Sequence, residues 1–95
     1  MNDSNLKKET FSELENYKFP TDLEYNDHGK DVLALQDFLR DLNYYPHNNS
    51  LNNCPINGNF RSCTENSLRK FQQDNGLNTT GYLDIETRKF VNLRR

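Results

Sequence analysis

The side chains able to carry chemistry in this sequence are two cysteines, two histidines, a row of carboxylates, two adjacent tyrosines and an arginine after a glycine turn. Cys54 and Cys63 are the only cysteines and are separated by eight residues. Their even count and the Asn-rich stretch before Phe60 favour a disulfide pinning that stretch to a following helix. Such a link would contribute roughly 2–3 kcal/mol by the chain-entropy model. The alternative is two free thiols, and export would favour the disulfide. Cys54 and Cys63 could join His28 and His47 in a zinc site only without the close ligand pairs that structural zinc sites use. No metal and no cofactor are expected. Asp27, Asp31, Asp37 and Asp41 include i, i+4 pairs and read as one solvated helix face, not as an acid/base pair in a cleft. No Ser-His-Asp or Cys-His arrangement can be placed on facing elements, so the chain is not expected to be an enzyme.

The elements that would position these groups must be small. Ninety-five residues allow one domain. Leu, Ile, Val and Phe total 22 of them, which requires nearly every Leu and Phe in the core. Val and Ile number two each, too few for an all-β sandwich or barrel. No apolar run approaches the roughly 20 residues that span a bilayer. The first 20 residues are too polar for a signal peptide, so any export address is expected outside this sequence. Residues 1–47 carry five basic and ten acidic side chains, and residues 48–95 carry seven and four. Neither half holds a basic block, which argues against nucleic acid as a partner.

Val32, Leu35, Phe38, Leu39 and Leu42 recur at helical spacing and predict a helix over 30–43. Asp27 or Asp31 is available to cap it, and Pro46 prevents its continuation. Ser62 and Glu65 have capping-box spacing and predict a second helix over 63–75, stopped by Gly76. Asp84 is the expected N-cap of a third helix over 84–93. Residues 1–21 form an N-terminal arm, in which Thr10 and Glu13 allow a short extra helix, and residues 22–95 form the domain. The expected core is Val32, Leu35, Phe38, Leu39, Leu42, Phe60, Leu68, Phe71, Leu77, Leu83, Phe90 and Val91. An internal pseudo-repeat runs through this region: Gly58-x-Phe60-x-x-x-Thr64 recurs 23 residues later as Gly81-x-Leu83-x-x-x-Thr87. The fold class is therefore all-α, a small three-helix bundle with pseudo-symmetric halves. Gln36 and Gln72, beside core positions, read as partners for backbone groups at helix ends.

Three stretches in order, GKDVLALQDFLRDLNYYP, INGNFRSCTENSLRKFQQDNGL and TGYLDIETRKFV, resemble the peptidoglycan-binding-like domain family over about residues 22–93. The resemblance implies a three-helix, non-catalytic module that attaches cell-wall hydrolases or related exported proteins to peptidoglycan. It implies an extracellular or wall-associated location, a monomer, and peptidoglycan or a catalytic hydrolase domain as partner. Asn57-Gly58-Asn59-Phe60-Arg61 stands where the family has Asp-Gly-x-Phe-Gly, and Asn43 and Asp84 stand at two further family glycines. Asn and Asp tolerate such turn positions.

One of Tyr44 and Tyr45 is expected as a core plug, as the family pattern suggests, and the other in a groove between the loop and the second helix. The expected ligand-binding residues are Tyr45, Asn57, Asn59, Arg61 and Thr64. A cation at position 61 opposes the helix dipole by roughly 0.3–1 kcal/mol, which suggests that the guanidinium meets a ligand carboxylate. Alternatively it pairs locally with Glu65, Asp74 or Asp84. The segment SLRKFQQDNGLNTTGYLDIETRKFVNLRR is also similar to the end of the matrix metalloprotease propeptide, which shares this fold. The resemblance then implies a propeptide-like domain that ends before the zinc-binding switch Cys.

Overall fold

In a computed structural model, residues 17–45 and 54–94 are described. The short helix expected from Thr10, most of the arm, His47 and the Asn-rich stretch up to Asn53 lie outside the described residues. The helices are α1 (Lys30–Asp41), α2 (Ser62–Asp74) and α3 (Ile85–Arg94). Among the described residues there is no strand, and two isolated bridges, Leu23 with Leu83 and His28 with Asn59, tie the connecting segments together. The all-α three-helix class therefore holds.

Each helix buries the face that its apolar spacing marks. From α1 come Val32, Ala34, Leu35, Phe38 and Leu39; from α2, Leu68 and Phe71; from α3, Val91, with Phe90 partly buried. Phe71 joins all three elements. Its ring meets those of Phe38, Tyr44 and Phe90 edge-on, with centroids 5.5, 5.6 and 5.9 Å apart.

α1 and α2 end in the same way. Asn43 in α1's exit turn and Gly76 in α2's adopt left-handed φ values of 68° and 71°. Tyr44 N–H then donates to Leu39 O at 2.7 Å, and Leu77 N–H to Gln72 O at 2.9 Å, which satisfies carbonyls that a helix end leaves open. This turn corrects one expectation. Leu42 is 46% exposed, because α1 ends before it and the chain swings away.

The core is instead completed from outside the helices. Phe19, Leu23 and Tyr45 are buried, while Leu77, expected in the core, is only partly buried at its edge. Phe19 is clasped to α3 by the Asn92 amide, which accepts from Phe19 N–H at 2.8 Å and donates to Phe19 O at 3.1 Å. Arg88 adds a 2.8 Å ion pair to Asp22.

The helix starts differ from the sequence expectation at two of three places. Gly29 precedes α1 without a side-chain cap; Asp27 instead accepts from Glu24 N–H at 2.8 Å and closes the preceding turn. Arg61, not Ser62, occupies the N-cap position of α2, and it makes no capping bond. Asp84 caps α3 as expected, accepting from Thr87 N–H at 2.9 Å. Burial alone would raise the Asp84 pKa. Hydrogen bonds from Thr87 and Thr80 outweigh burial and hold it below its ordinary 3.8.

Truncation of Phe71 to Ala removes the ring shared by three elements and is expected to cost about 3–5 kcal/mol in urea denaturation, enough to unfold a domain of this size. Because the folded pKa of Asp84 is depressed, its contribution is complete above pH 3.8 and is lost as pH falls through the folded value. Unfolding midpoints should therefore drop in that acid window. Asp84→Asn, which still caps but cannot ionise, should lessen the drop; an unaltered pH profile would remove Asp84 from this role.

Candidate functional site

Two glycine turns precede α2 and α3, and each is held from below by a fully buried glutamine. Gln36, on α1, accepts from Asn57 N–H and Gly58 N–H at 3.0 and 2.9 Å. Its amide nitrogen donates to Asn59 O and Thr64 Oγ1, both at 2.9 Å. Gln72, on α2, repeats the pattern at the second turn. It accepts from Gly81 N–H at 2.9 Å and donates to Tyr82 O and Thr87 Oγ1 at 2.9 and 3.0 Å. The glutamines thus bond the turns that lead into helices, where helix ends were expected. The sequence repeat now has a cause: the Gly supplies an N–H to the amide, the Thr supplies a hydroxyl, and Phe60 or Leu83 plugs the core between them.

Gly58 has φ +79°, and a Cβ there would lie 3.0 Å from the Gly29 carbonyl oxygen. That approach is fixed by Gly29 N–H donating to Gly58 O at 2.9 Å, so no side chain fits. The turn is further shaped by Asn57 Oδ1, which accepts from Asn59 N–H at 2.9 Å. Cys54 and Cys63 form a disulfide with Cα atoms 5.6 Å apart, tying the approach to this turn to the first turn of α2.

The five expected ligand residues separate into two layers. Asn57, Asn59 and Arg61 are exposed on the turn. Thr64 is fully buried under it, bonded to Gln36, so it supports the turn and cannot meet a ligand directly. Tyr45 is also buried and donates to Pro55 O at 2.8 Å; burial chiefly raises its pKa, with a hydrogen bond to Thr64 opposing. Tyr45 is therefore the core plug. Tyr44 is the groove-lining ring, but its groove is elsewhere. Tyr44 lines a space of about 440 Å³ with Phe38, Leu42, Phe71, Asn75 and Phe90, by the last turns of α1 and α2. Its hydroxyl donates to Asp74 at 2.8 Å. Burial first, and then Asp74, raise the Tyr44 pKa.

Arg61 has none of the local carboxylate partners expected for it. Glu65 faces Arg69 at 3.5 Å, Asp74 faces Lys70 at 3.1 Å, and Asp84 is committed to its cap. The Arg61 guanidinium instead donates to Asn26 Oδ1 and lies 6.0 Å from the Tyr25 ring centroid. Among the described residues it forms no ion pair. Tyr25 and Asn26 were not legible as site residues. They arrive through backbone pairing of their segment with Phe60, Asn26 N–H donating to Phe60 O and Phe60 N–H to Asp27 O, both at 2.9 Å.

The result is an exposed guanidinium held by a neutral amide, with Asn57 and Asn59 exposed on the turn that leads to it. Such a surface can recognise carboxylate and amide groups. Among the described residues, no three His, Cys, Asp or Glu side chains are grouped to hold a metal ion. None of the described helices is long and apolar enough to cross a membrane.

The sequence matches the family model of the peptidoglycan binding domain over residues 28–91. Among solved structures, the SleB N-terminal domain superposes with a TM-score of 0.64 at 25% identity, covering 75% of this chain and 88% of that one. A peptidoglycan-binding protein from Clostridioides difficile, solved in complex with glutamine hydroxamate, superposes with a TM-score of 0.62 at 28% identity. That match covers 76% of this chain but only 40% of the other, so this chain spans less than half of that protein. No curated protein matches the sequence.

Gln36→Ala would leave two N–H groups, a carbonyl and a hydroxyl of the first turn without their partner. We expect a loss of about 2–4 kcal/mol in chemical denaturation, with faster amide exchange at Gly58. A stability within 0.5 kcal/mol of the parent, about the spread of a neutral surface change, would refute the supporting role.

Proposed function

This chain belongs to the peptidoglycan binding domain family, matched across residues 28–91, and from that premise we propose that it is a non-catalytic module that binds the cell wall and carries an attached hydrolase or exported protein to it. The reading places the module outside the cell, acting as a monomer. The ligand-facing group is Arg61 with Asn57 and Asn59, and Thr64 and Tyr45 hold the turn from beneath.

One observation carries this assignment. A guanidinium stands at the N-cap position of α2, where it cannot cap, and it has no carboxylate partner among the described residues. The equivalent place in the second turn holds Asp84, which does cap its helix. A capping residue exchanged for a cation is unfavourable for the helix, and an anionic ligand supplies the missing counter-charge. Peptidoglycan stem peptides carry carboxylates that suit the planar fork of Arg.

Pelleting with insoluble purified peptidoglycan tests the reading. The parent chain should co-sediment and release no soluble sugar or peptide. Arg61→Gly should weaken binding about 10- to 100-fold, as loss of a charged hydrogen bond does, while changing stability by less than about 1 kcal/mol. Unchanged binding would remove Arg61 from the site. A parent chain that ignores the wall but captures a zinc metalloprotease catalytic domain would replace this reading with the propeptide-like one.

A further inference from the structure

The two turns are built on one plan, so residues that the plan does not require stand out by comparison. The Gly and the Thr coincide because Gln36 and Gln72 each bond them, and an apolar plug, Phe60 or Leu83, is buried between them. Among the equivalent positions that differ, two stand on the exposed side of the turns. Asn59 corresponds to Tyr82, and Arg61 to Asp84. Asp84 is explained by its cap. Tyr82 is not explained by the fold. Its backbone carbonyl serves Gln72, a task that any residue could perform, while its side chain is 36% exposed. Among the described residues its ring packs on no other aromatic ring.

The two turns are also joined along the surface. Arg61, Glu65 and Arg69 follow at i, i+4 and i+8 on one edge of α2, which spans about 12 Å. At the far end the Arg69 guanidinium lies against Gly81, about 3 Å from where a Cβ would stand. Glu65 and Arg69 pair with each other at 3.5 Å. The edge therefore runs from the exposed cation of the first turn to the glycine that precedes Tyr82 in the second.

We propose that Tyr82 is a second contact point for the same polymer, a ring face on which a sugar of the glycan strand stacks while Arg61 engages a carboxylate of the attached peptide. This rests on the wall-binding reading above. The chemistry of the two turns suits the two components of the ligand. A guanidinium with amides recognises the charged peptide, and a partly exposed tyrosine offers an apolar ring to sugar C–H groups together with a polar tip. A polymer engaged at both points gains by effective concentration what neither contact supplies alone.

Binding of Tyr82→Ala and Tyr82→Phe should be measured on intact peptidoglycan, on glycan strands stripped of their peptides, and on free stem peptide. Tyr82→Ala should lose about tenfold on the two glycan-containing probes and nothing on free stem peptide, and Tyr82→Phe should retain binding. Arg61→Gly should show the complementary pattern, weakened on stem peptide and intact wall but not on stripped strands. Equal binding of Tyr82→Ala and the parent chain to intact wall would overturn the second contact and leave the wall-binding reading standing. Loss on stem peptide as well would assign Tyr82 to shaping the Arg61 site, and would equally overturn the proposal. Failure of the parent chain to bind any probe would refute both.

Discussion

Two uncharged amides, each buried completely, hold the connecting chain onto the helices. The Gln36 and Gln72 side chains both accept from backbone N–H groups of a glycine turn and donate to that turn's carbonyl and to a threonine hydroxyl. In a domain with so few aliphatic residues, the apolar core alone would leave these turns poorly determined. A buried amide fully supplied with partners fixes geometry because every misplacement leaves a polar group unsatisfied. The positions of Phe60 and Leu83, and through them the entry angles of α2 and α3, follow from those bonds.

That arrangement also separates a buried supporting layer from an exposed one. Beneath the first turn lie Gln36, Thr64 and Tyr45, all buried; above it stand Asn57, Asn59 and Arg61, exposed. The disulfide joins Cys54, just ahead of the turn, to Cys63 in the helix that follows it. The side chains of Asn59 and Arg61 are thus free of that supporting task, since Gln36 and Asn57 Oδ1 take up the turn's N–H groups. Arg61 illustrates the freedom. A helix start without a side-chain cap is tolerated because disulfide, plug and amide hold it from three other sides.

The helices were legible because their signals are local. The spacing of Val32, Leu35, Phe38 and Leu39, the stop at Gly76 and the cap at Asp84 all act within a turn or two. The repeat around Gly58 and Gly81 was legible too, although its cause, a glutamine from a different helix, was not. Missed features depend on partners far along the chain. Phe19 and Leu23 lie in a polar segment with no periodicity, and the partners that hold them, Asn92 and Leu83, are far along the chain. Leu42 fits the apolar stripe of α1 but falls after the turn at which the helix ends. Tyr44 and Tyr45 are adjacent and chemically alike; which one is buried depends on the exit direction set by Asn43, whose left-handed φ does not show in its identity alone.

The clasp between Phe19 and Asn92 bears on how the domain is made. It joins residues 73 apart, and the Leu23 bridge to Leu83 joins residues 60 apart. A bundle of three short helices would ordinarily fold quickly through neighbouring contacts, whereas closures over most of the chain raise the contact order and slow the rate. α1 and α2 cannot complete their core until α3 is present, because Phe71 and Phe90 form one cluster and Phe19 is held by α3 itself. During synthesis, a chain with these dependencies stays open until α3 has emerged. It then closes in a single cooperative step.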